Sequence, residues 1–371
     1  MAFYMGDDDQ LQFIYKFVSN DVFDGPQPGE SPLDTGDRFM NDGVLYAARF
    51  DDNGSFEADG IASGTLTGEW LPLTPDNPVL MAASSDPNNQ FFGLFDTLDS
   101  ILVHARGAAF TLGATPMDRP EWSAVDPNNG EIYLTLTNNS DRQSFEDADS
   151  AAAAAGDNGS REEVTEFLAD REFGVDAANP RGPNSDGHII RMKEDGNTVT
   201  ATTFEWEIFL FGVNLEDRPE GNFSSLDSSN EFTDCDGLWF DNAGVLWIQT
   251  DGGQPVGNNQ MLAAIPGVVG DGGITAENQS DNLRRFLVGP NDCEITGITQ
   301  TPDRRTLFIN VQHPGDGADD VTDPNSFTGT WPADTGADAA ATGSFGNRPR
   351  SATIMITRDD GGLIGSDSEP V

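Results

Sequence analysis

The sequence predicts an all-β fold of β-propeller type with one helical insertion. Three observations carry this. The 371 residues include 41 Gly and 22 Pro, so turns are frequent. Apolar residues alternate along many short runs, while long helical periodicity is scarce. Three segments share one layout.

Those segments are EWSAVDPNNGEIYLTLTNN from Glu121, DGLWFDNAGVLWIQTDGG from Asp236 and EITGITQTPDRRTLFINVQHPG from Glu294. Each begins with an acid, runs through a short strand into a turn built on Asp, Pro, Asn or Gly, and climbs a second strand. The second strands are IYLTL, LWIQT and LFINV, and polar residues end them: Asn138 and Asn139, Asp251, and Gln312 with His313. A strand of about six residues spans about 20 Å. A hairpin goes out and returns, so its first and last residues share one end. Three such hairpins arranged radially bring their acids to a common mouth, as in a propeller. A sandwich with repeated hairpins is the alternative, and the repeated acid at each hairpin start favours the propeller.

The runs 11–19, 44–51, 187–212 and 351–365 read as outer strands, with DG and GN marking turns. One helix is expected over Leu98 to Leu112, with Ile101, Ala105, Ala108, Ala109 and Leu112 on one face. His104 reads there as a packed or surface residue. Segments near 141–165 (with the alanine run Ala151 to Ala155), 215–232 and 316–347 read as mobile surface insertions. The whole, residues 1–371, reads as a single partial propeller domain. A blade takes about 40–50 residues, and three inner hairpins leave outer strands without partners. A missing N-terminal portion or a second chain is therefore expected to supply the rest.

The net charge is −44, and the lysines are Lys16 and Lys193. Such a surface repels nucleic acid and anionic membranes. It reads as solvation, with room for a few carboxylates to bind hard cations. No run is long and apolar enough to span a bilayer. Met1 leads directly into AFYMGDDD, a strand-like run, so no signal peptide is expected at this start. Cys235 and Cys293 each precede an acid. They read as two free thiols in a reducing compartment, or as a disulfide beside the mouth in an exported protein.

The proposed mouth gathers Glu121, Asp236 and Glu294 from strand starts, and Asn138, Asp251 and His313 from strand ends. Carboxylate and amide oxygens suit Ca²⁺, and carboxylates with an imidazole also hold iron. Without a cation these acids would raise one another's pKa. Arg119, in MDRPEW, reads either as an ion-pair partner of Glu121 or Asp118 or as an anion clamp, because guanidinium forks match phosphate oxygens. Asp7, Asp8 and Asp9 end a strand and either reach the mouth or form a solvated turn. Lys16 reads as a surface lysine and His188 as the start of a strand.

Taken together, YMGDDDQLQFIYKFVS, GATPMDRPEW, TLTNN, GHIIRMKEDG, DCDGLWFDNAGVLWIQTDG, RRFLVGPNDCEITGITQTPDRRTLFINVQHPG and RSATIMITRDDGGLIG resemble the PhoX family of alkaline phosphatases. The resemblance implies a six-bladed propeller and a calcium- and iron-dependent phosphomonoesterase. It also implies export through the twin-arginine route, hence a periplasmic or extracellular location, and small organic phosphate esters as substrates. Arg119 and Glu121 match the family's arginine and glutamate serving phosphate and metal. Asp236 and Glu294 become metal candidates, with Asp8 and Asp251 beside them, and His313 joins Arg119 as a catalytic candidate. Two departures stand out. The family's TCEEN-like motif, whose cysteine ligates iron, has no counterpart here, so Fe³⁺ rests on the family alone. Gln12 stands where the family often has Glu. Against the phosphatase stand a catalytically inactive calcium-binding propeller fragment and a lactonase-like calcium propeller hydrolase.

Overall fold

The computed structural model of the chain describes residues 1–51, 64–142, 174–255, 257–320, 322–332 and 348–365. It is mostly strand. In chain order the strands are β1 (Ala2–Gly6), β2 (Gln10–Gln12), β3 (Ile14–Ser19), β4 (Gly43–Phe50), β5 (Leu66–Pro72), β6 (Met117–Asp118), β7 (Pro120–Val125), β8 (Ile132–Leu136), β9 (His188–Glu194) and β10 (Thr203–Phe211). They continue as β11 (Cys235–Phe240), β12 (Leu246–Thr250), β13 (Gln260–Ala264), β14 (Leu283–Val288), β15 (Glu294–Gln300), β16 (Thr306–Gln312) and β17 (Ala352–Thr357). The sheets run β1-β3-β4-β5-β10-β9-β8-β7, β11-β12-β13-β14 and β15-β16-β17, with a short β2-β6 pair. The chain divides into two compact units. One holds Met1–Ser123, Asn138–Asn184 and Ile190–Ile208, and the other Ala124–Thr137, Ser185–Ile189 and Phe209–Val371.

In the first unit β1, β3, β4 and β5 are antiparallel, and Tyr15 of β3 and Ala47 of β4, with Phe13 just before β3 and Leu73 just after β5, face a core closed by helices. Of the helices α1 (Pro32–Met40), α2 (Pro78–Ser85), α3 (Leu98–Val103) and α4 (Ala105–Leu112), the last three line this core, and α1 buries Phe39 against Phe23 apart from it. The single helix expected over 98–112 is two. The chain breaks at His104 (φ −109°, ψ 37°), whose Nδ1 lies 2.9 Å from the Ser100 carbonyl oxygen. The predicted apolar face survives the break: Ile101, Ala108 and Ala109 are buried, and Ala105 and Leu112 pack against them. Helices α1 and α2 go beyond the one predicted insertion. Their start signals are local. Ser31 and Asp34 form a capping box ahead of α1, and Asn77 caps α2, each followed by Pro at the first helical position.

In the second unit, β11 to β14 form an antiparallel meander, and so do β15 to β17. Second strands β8 and β12 are buried along their whole length. Strand β17 alternates: Ile354 and Ile356 pack on the core, while Thr353 and Met355 face solvent. The three predicted hairpins share one turn device. The Asp126 Oδ1 accepts from the Asn128 N–H (2.8 Å), that of Asp241 from Ala243 (2.8 Å) and Val245 (3.0 Å), and that of Asp303 from Arg305 (3.2 Å). A carboxylate that bonds its own backbone two residues on sets each turn.

Residues 215–232 are irregular, yet Leu226 and Phe232 are buried in the core. The segment is thus anchored rather than the mobile loop its polarity implied. Its polar side chains serve their own backbone: the Leu226 N–H bonds Asn222 Oδ1 at 2.7 Å. Most of the expected insertion at 141–165, with its alanine run, lies outside the described residues, as do residues 333–347 of the third. Among the described residues no helix is long and apolar enough to cross a membrane.

Candidate functional site

The hairpin β15-β16 pairs Glu294 with Gln312, so its two ends meet. Glu294 is buried, and its Oε2 accepts from Gln312 Nε2 at 2.7 Å. The next residue, His313, adopts a left-handed backbone (φ 36°), and its Nε2 lies 3.4 Å from the same oxygen. The His313 N–H donates to Ser351 Oγ at 3.0 Å. Asp251 follows the end of β12, where Thr250 pairs with Cys235, and its N–H bonds the Asp234 carbonyl at 3.1 Å. One oxygen from each of Asp251 and Glu294 and one ring nitrogen of His313 lie within 4.8 Å of one another.

Electrostatics singles out Glu294 within this group. Burial pushes the Glu294 carboxyl above its ordinary range. The Asp251 and Asp236 charges push it further, while a hydrogen bond from Thr296 and the His313 ring oppose the shift. Asp236, the second residue of β11, therefore belongs to this field, and its carbonyl accepts from Thr135 Oγ1 at 2.8 Å. The His313 Nδ1 is buried with no hydrogen-bond partner among the described residues. An imidazole nitrogen beside two carboxylates makes a mixed donor group of the kind that a cation suits.

Cys235 and Cys293 are separate buried thiols, so the disulfide alternative is not the arrangement found. They pack in different apolar clusters. The Cys235 Sγ points at the His188 and Leu136 carbonyls (3.4 and 3.7 Å). Burial, with the charges of Asp251, Asp292 and Glu294, pushes the Cys293 thiol up to about 12, which keeps it protonated and inert. His188 is fully buried with its ring stacked on Phe211, a packing position.

Arg119, Glu121 and Asp8 lie in the first unit. Arg119 also takes a left-handed backbone (φ 52°) between β6 and β7. Its neighbour Asp118 is buried and accepts from Arg142 Nε (2.5 Å), Asn139 Nδ2 (2.9 Å) and Asn184 Nδ2 (3.0 Å). On the other side Pro120 packs against β1 so closely that a Cβ on Gly6 would lie 2.2 Å from the Pro120 carbonyl oxygen. The backbone is thus held on both flanks, and the guanidinium projects from a fixed point. Asp8 takes its Nε and Nη2 (3.0 and 3.3 Å), Glu121 Oε1 its Nη2 (3.3 Å) and Asn138 Oδ1 its Nη1 (3.5 Å). Asp8, expected as a metal candidate, therefore contacts an arginine, and Asp7 holds Arg106 in the same two-pronged way (2.7 and 2.6 Å). Lys16 is not a surface lysine: it is fully buried, with Nζ 2.8 Å from Glu194.

A family model described as alkaline phosphatase PhoX matches residues 1–315. The chain belongs to the PhoX family. Among solved structures, Pseudomonas fluorescens PhoX in complex with vanadate, a transition state analogue, matches with a TM-score of 0.68 and 35% identity. The match covers 98% of this chain and 52% of that one. The chain thus spans about half the length of that relative. Comparison with the curated proteins gives no match. The fold is accordingly of the β-propeller class, with its blade-like meanders in β11 to β14 and β15 to β17.

Several supporting residues of this chain are not singled out by its sequence. Gln312 was read only as a polar strand end, and Asp118 only as a possible partner of Arg119. Arg218 was missed although its signal was present: the run DRPE occurs at 118–121 and again at 217–220. In the second copy Arg218 clamps Asp186, with Nη2 2.6 Å from Oδ1.

Proposed function

We propose that the chain carries groups of a PhoX-type phosphomonoesterase, which hydrolyses phosphate monoesters to inorganic phosphate outside the cytoplasm. The observation that carries this reading is the meeting of Asp251, Glu294 and His313, in a chain whose family model is an alkaline phosphatase. Asp251, Glu294 and Asp236 would hold a hard cation such as Ca²⁺ through oxygen. His313 adds the nitrogen that suits Fe³⁺, which makes it a member of the metal group rather than a separate catalytic acid. A metal bound there would supply positive charge to stabilise the phosphoryl oxygens.

The chain's own residues do the rest. Gln312 fixes the Glu294 carboxylate by donating to Oε2. Arg119 offers a planar fork of N–H donors for phosphoryl oxygens, from a backbone locked by Asp118 and Pro120. Glu121, next to Pro120, orients that fork through Nη2 and is the metal candidate of the first unit.

The test is hydrolysis of p-nitrophenyl phosphate at alkaline pH with Ca²⁺ and Fe³⁺ supplied. Arg119→Ala should lower kcat/KM by about 10²-fold, the cost of losing one oxyanion donor. A folded, metal-loaded protein without turnover, whose melting temperature still rises with Ca²⁺, would instead establish a catalytically silent metal-binding propeller.

A further inference from the structure

We infer that Asp8 is an internal occupant of the phosphate-binding edge of Arg119: a carboxylate that an incoming phosphate displaces and that sets the affinity of the site. The inference rests on the phosphate-binding reading of Arg119 given above.

The geometry of the pair is the first reason. Asp8 Oδ1 and Oδ2 approach Nε and Nη2 of Arg119 at 3.0 and 3.3 Å, one carboxylate oxygen to each donor of a single edge. Phosphate takes a guanidinium in this same two-pronged way. A carboxylate and a phosphate cannot both use that edge.

Charge is the second reason. Arg119 carries one positive charge and faces two carboxylates, Asp8 and Glu121, within 3.3 Å. A phosphate dianion entering beside both would meet net repulsion. One carboxylate has to yield.

Placement says which one. Glu121 stands inside β7, directly after Pro120, and its side chain is 15% exposed. Asp8 stands in the turn between β1 and β2 with its side chain 44% exposed. Its neighbours hold the turn without it. Asp7 grips Arg106, the Asp7 N–H bonds the Phe13 carbonyl (3.2 Å), and Asp9 Oδ1 accepts from the Gln10 N–H (2.9 Å). Asp8 can swing into solvent, where water solvates it, while the turn stays in place.

The test titrates inorganic phosphate into the metal-loaded protein by calorimetry, with wild type, Asp8→Asn, Arg119→Ala and the double variant. Asparagine keeps the size of the side chain and removes its charge. Asp8→Asn should tighten phosphate binding by about fivefold, the scale of one exposed ion pair. Arg119→Ala should weaken it, and Asp8→Asn should add nothing in the Arg119→Ala background. Unchanged affinity in Asp8→Asn overturns the inference, and weaker affinity does so in favour of Asp8 as a metal ligand. An equal gain in both backgrounds overturns it too, because the effect is then general charge. Arg119→Ala binding as tightly as wild type would remove the phosphate-binding reading of Arg119 itself, and Asp8's role with it.

Discussion

Glu294 and His313 meet across the open end of one hairpin, with the carboxylate Oε2 3.4 Å from the ring Nε2. The register that pairs Glu294 with Gln312 puts them there, and the left-handed backbone of His313 turns its ring toward the acid. With Asp251 they form a mixed oxygen and nitrogen donor set. Ca²⁺ takes oxygen ligands, whereas iron accepts imidazole. His313→Ala should therefore weaken iron binding more than Ca²⁺ binding, and Glu294→Gln should weaken both. Thermal melting against each metal reads this out, since saturation at a hundred times Kd adds about 2.7 kcal/mol to stability. Equal losses for both metals in His313→Ala would remove the imidazole from the donor set.

The raised pKa of Glu294 gives a pH signature. Its ordinary value is 4.5, and in the folded protein it lies higher. Over that window the folded state holds a proton that the unfolded chain has released. Stability from this group is thus present at low pH and is lost as pH rises through the folded pKa. In metal-free protein, the melting temperature of wild type should fall relative to Glu294→Gln as pH rises above 4.5. The other acids are common to both proteins and cancel. Saturating Ca²⁺ should reduce the relative fall, because a cation beside Glu294 favours its charged form against the cost of burial and offsets the Asp251 and Asp236 charges.

Arg218 is linked to Asp251, in the proposed metal group, through a relay of hydrogen bonds. It clamps Asp186, whose carbonyl accepts from the Asp234 N–H (3.1 Å), and the Asp234 carbonyl accepts from the Asp251 N–H (3.1 Å). Asp234 is held in a left-handed conformation (φ 50°) over Gly252, where a Cβ would lie 2.5 Å from its carboxylate. Arg218→Ala should lower metal affinity, by less than the roughly tenfold that losing a partner bonded directly to a ligand costs. Arg218→Lys should restore part of it. Isothermal titration checks this alongside circular dichroism, which should show the fold retained.

Lys16 and Glu194 test the core of the first unit. Lys16 Nζ bonds Glu194 Oε1 (2.8 Å) and the Ala201 carbonyl (2.7 Å) and lies 4.8 Å from the Trp70 ring centre. Tyr4 and Trp70 donate to the same carboxylate. Burial pushes Lys16 down and Glu194 up, each toward its neutral form. Lys16→Met should cost about 3–5 kcal/mol in urea unfolding, because it strands a buried carboxylate. Adding Glu194→Gln should recover much of that loss.

The hairpins were legible because they are local. Alternation with period 2 decides which side chains go inward, and turn length decides which residues face across the pair. Glu294 and Gln312 could therefore be brought together from sequence spacing, and the aspartates at 126, 241 and 303 mark the turns. The helix over 98–112 was legible as an apolar face but not as two pieces, because periodicity does not register a single break at His104.

The sequence by itself determined the all-β class, the three hairpins and the residues that stand at their open ends. The tertiary structure alone decided which of those charges face one another. It set Asp8 on Arg119, buried Lys16 against Glu194 and kept Cys235 and Cys293 in different clusters. The physical reason is the range of the forces involved. Strand register follows from neighbours along the chain. The partner of a charge follows from the packing of segments more than a hundred residues apart, as in the 111 residues between Asp8 and Arg119, and no local pattern encodes that.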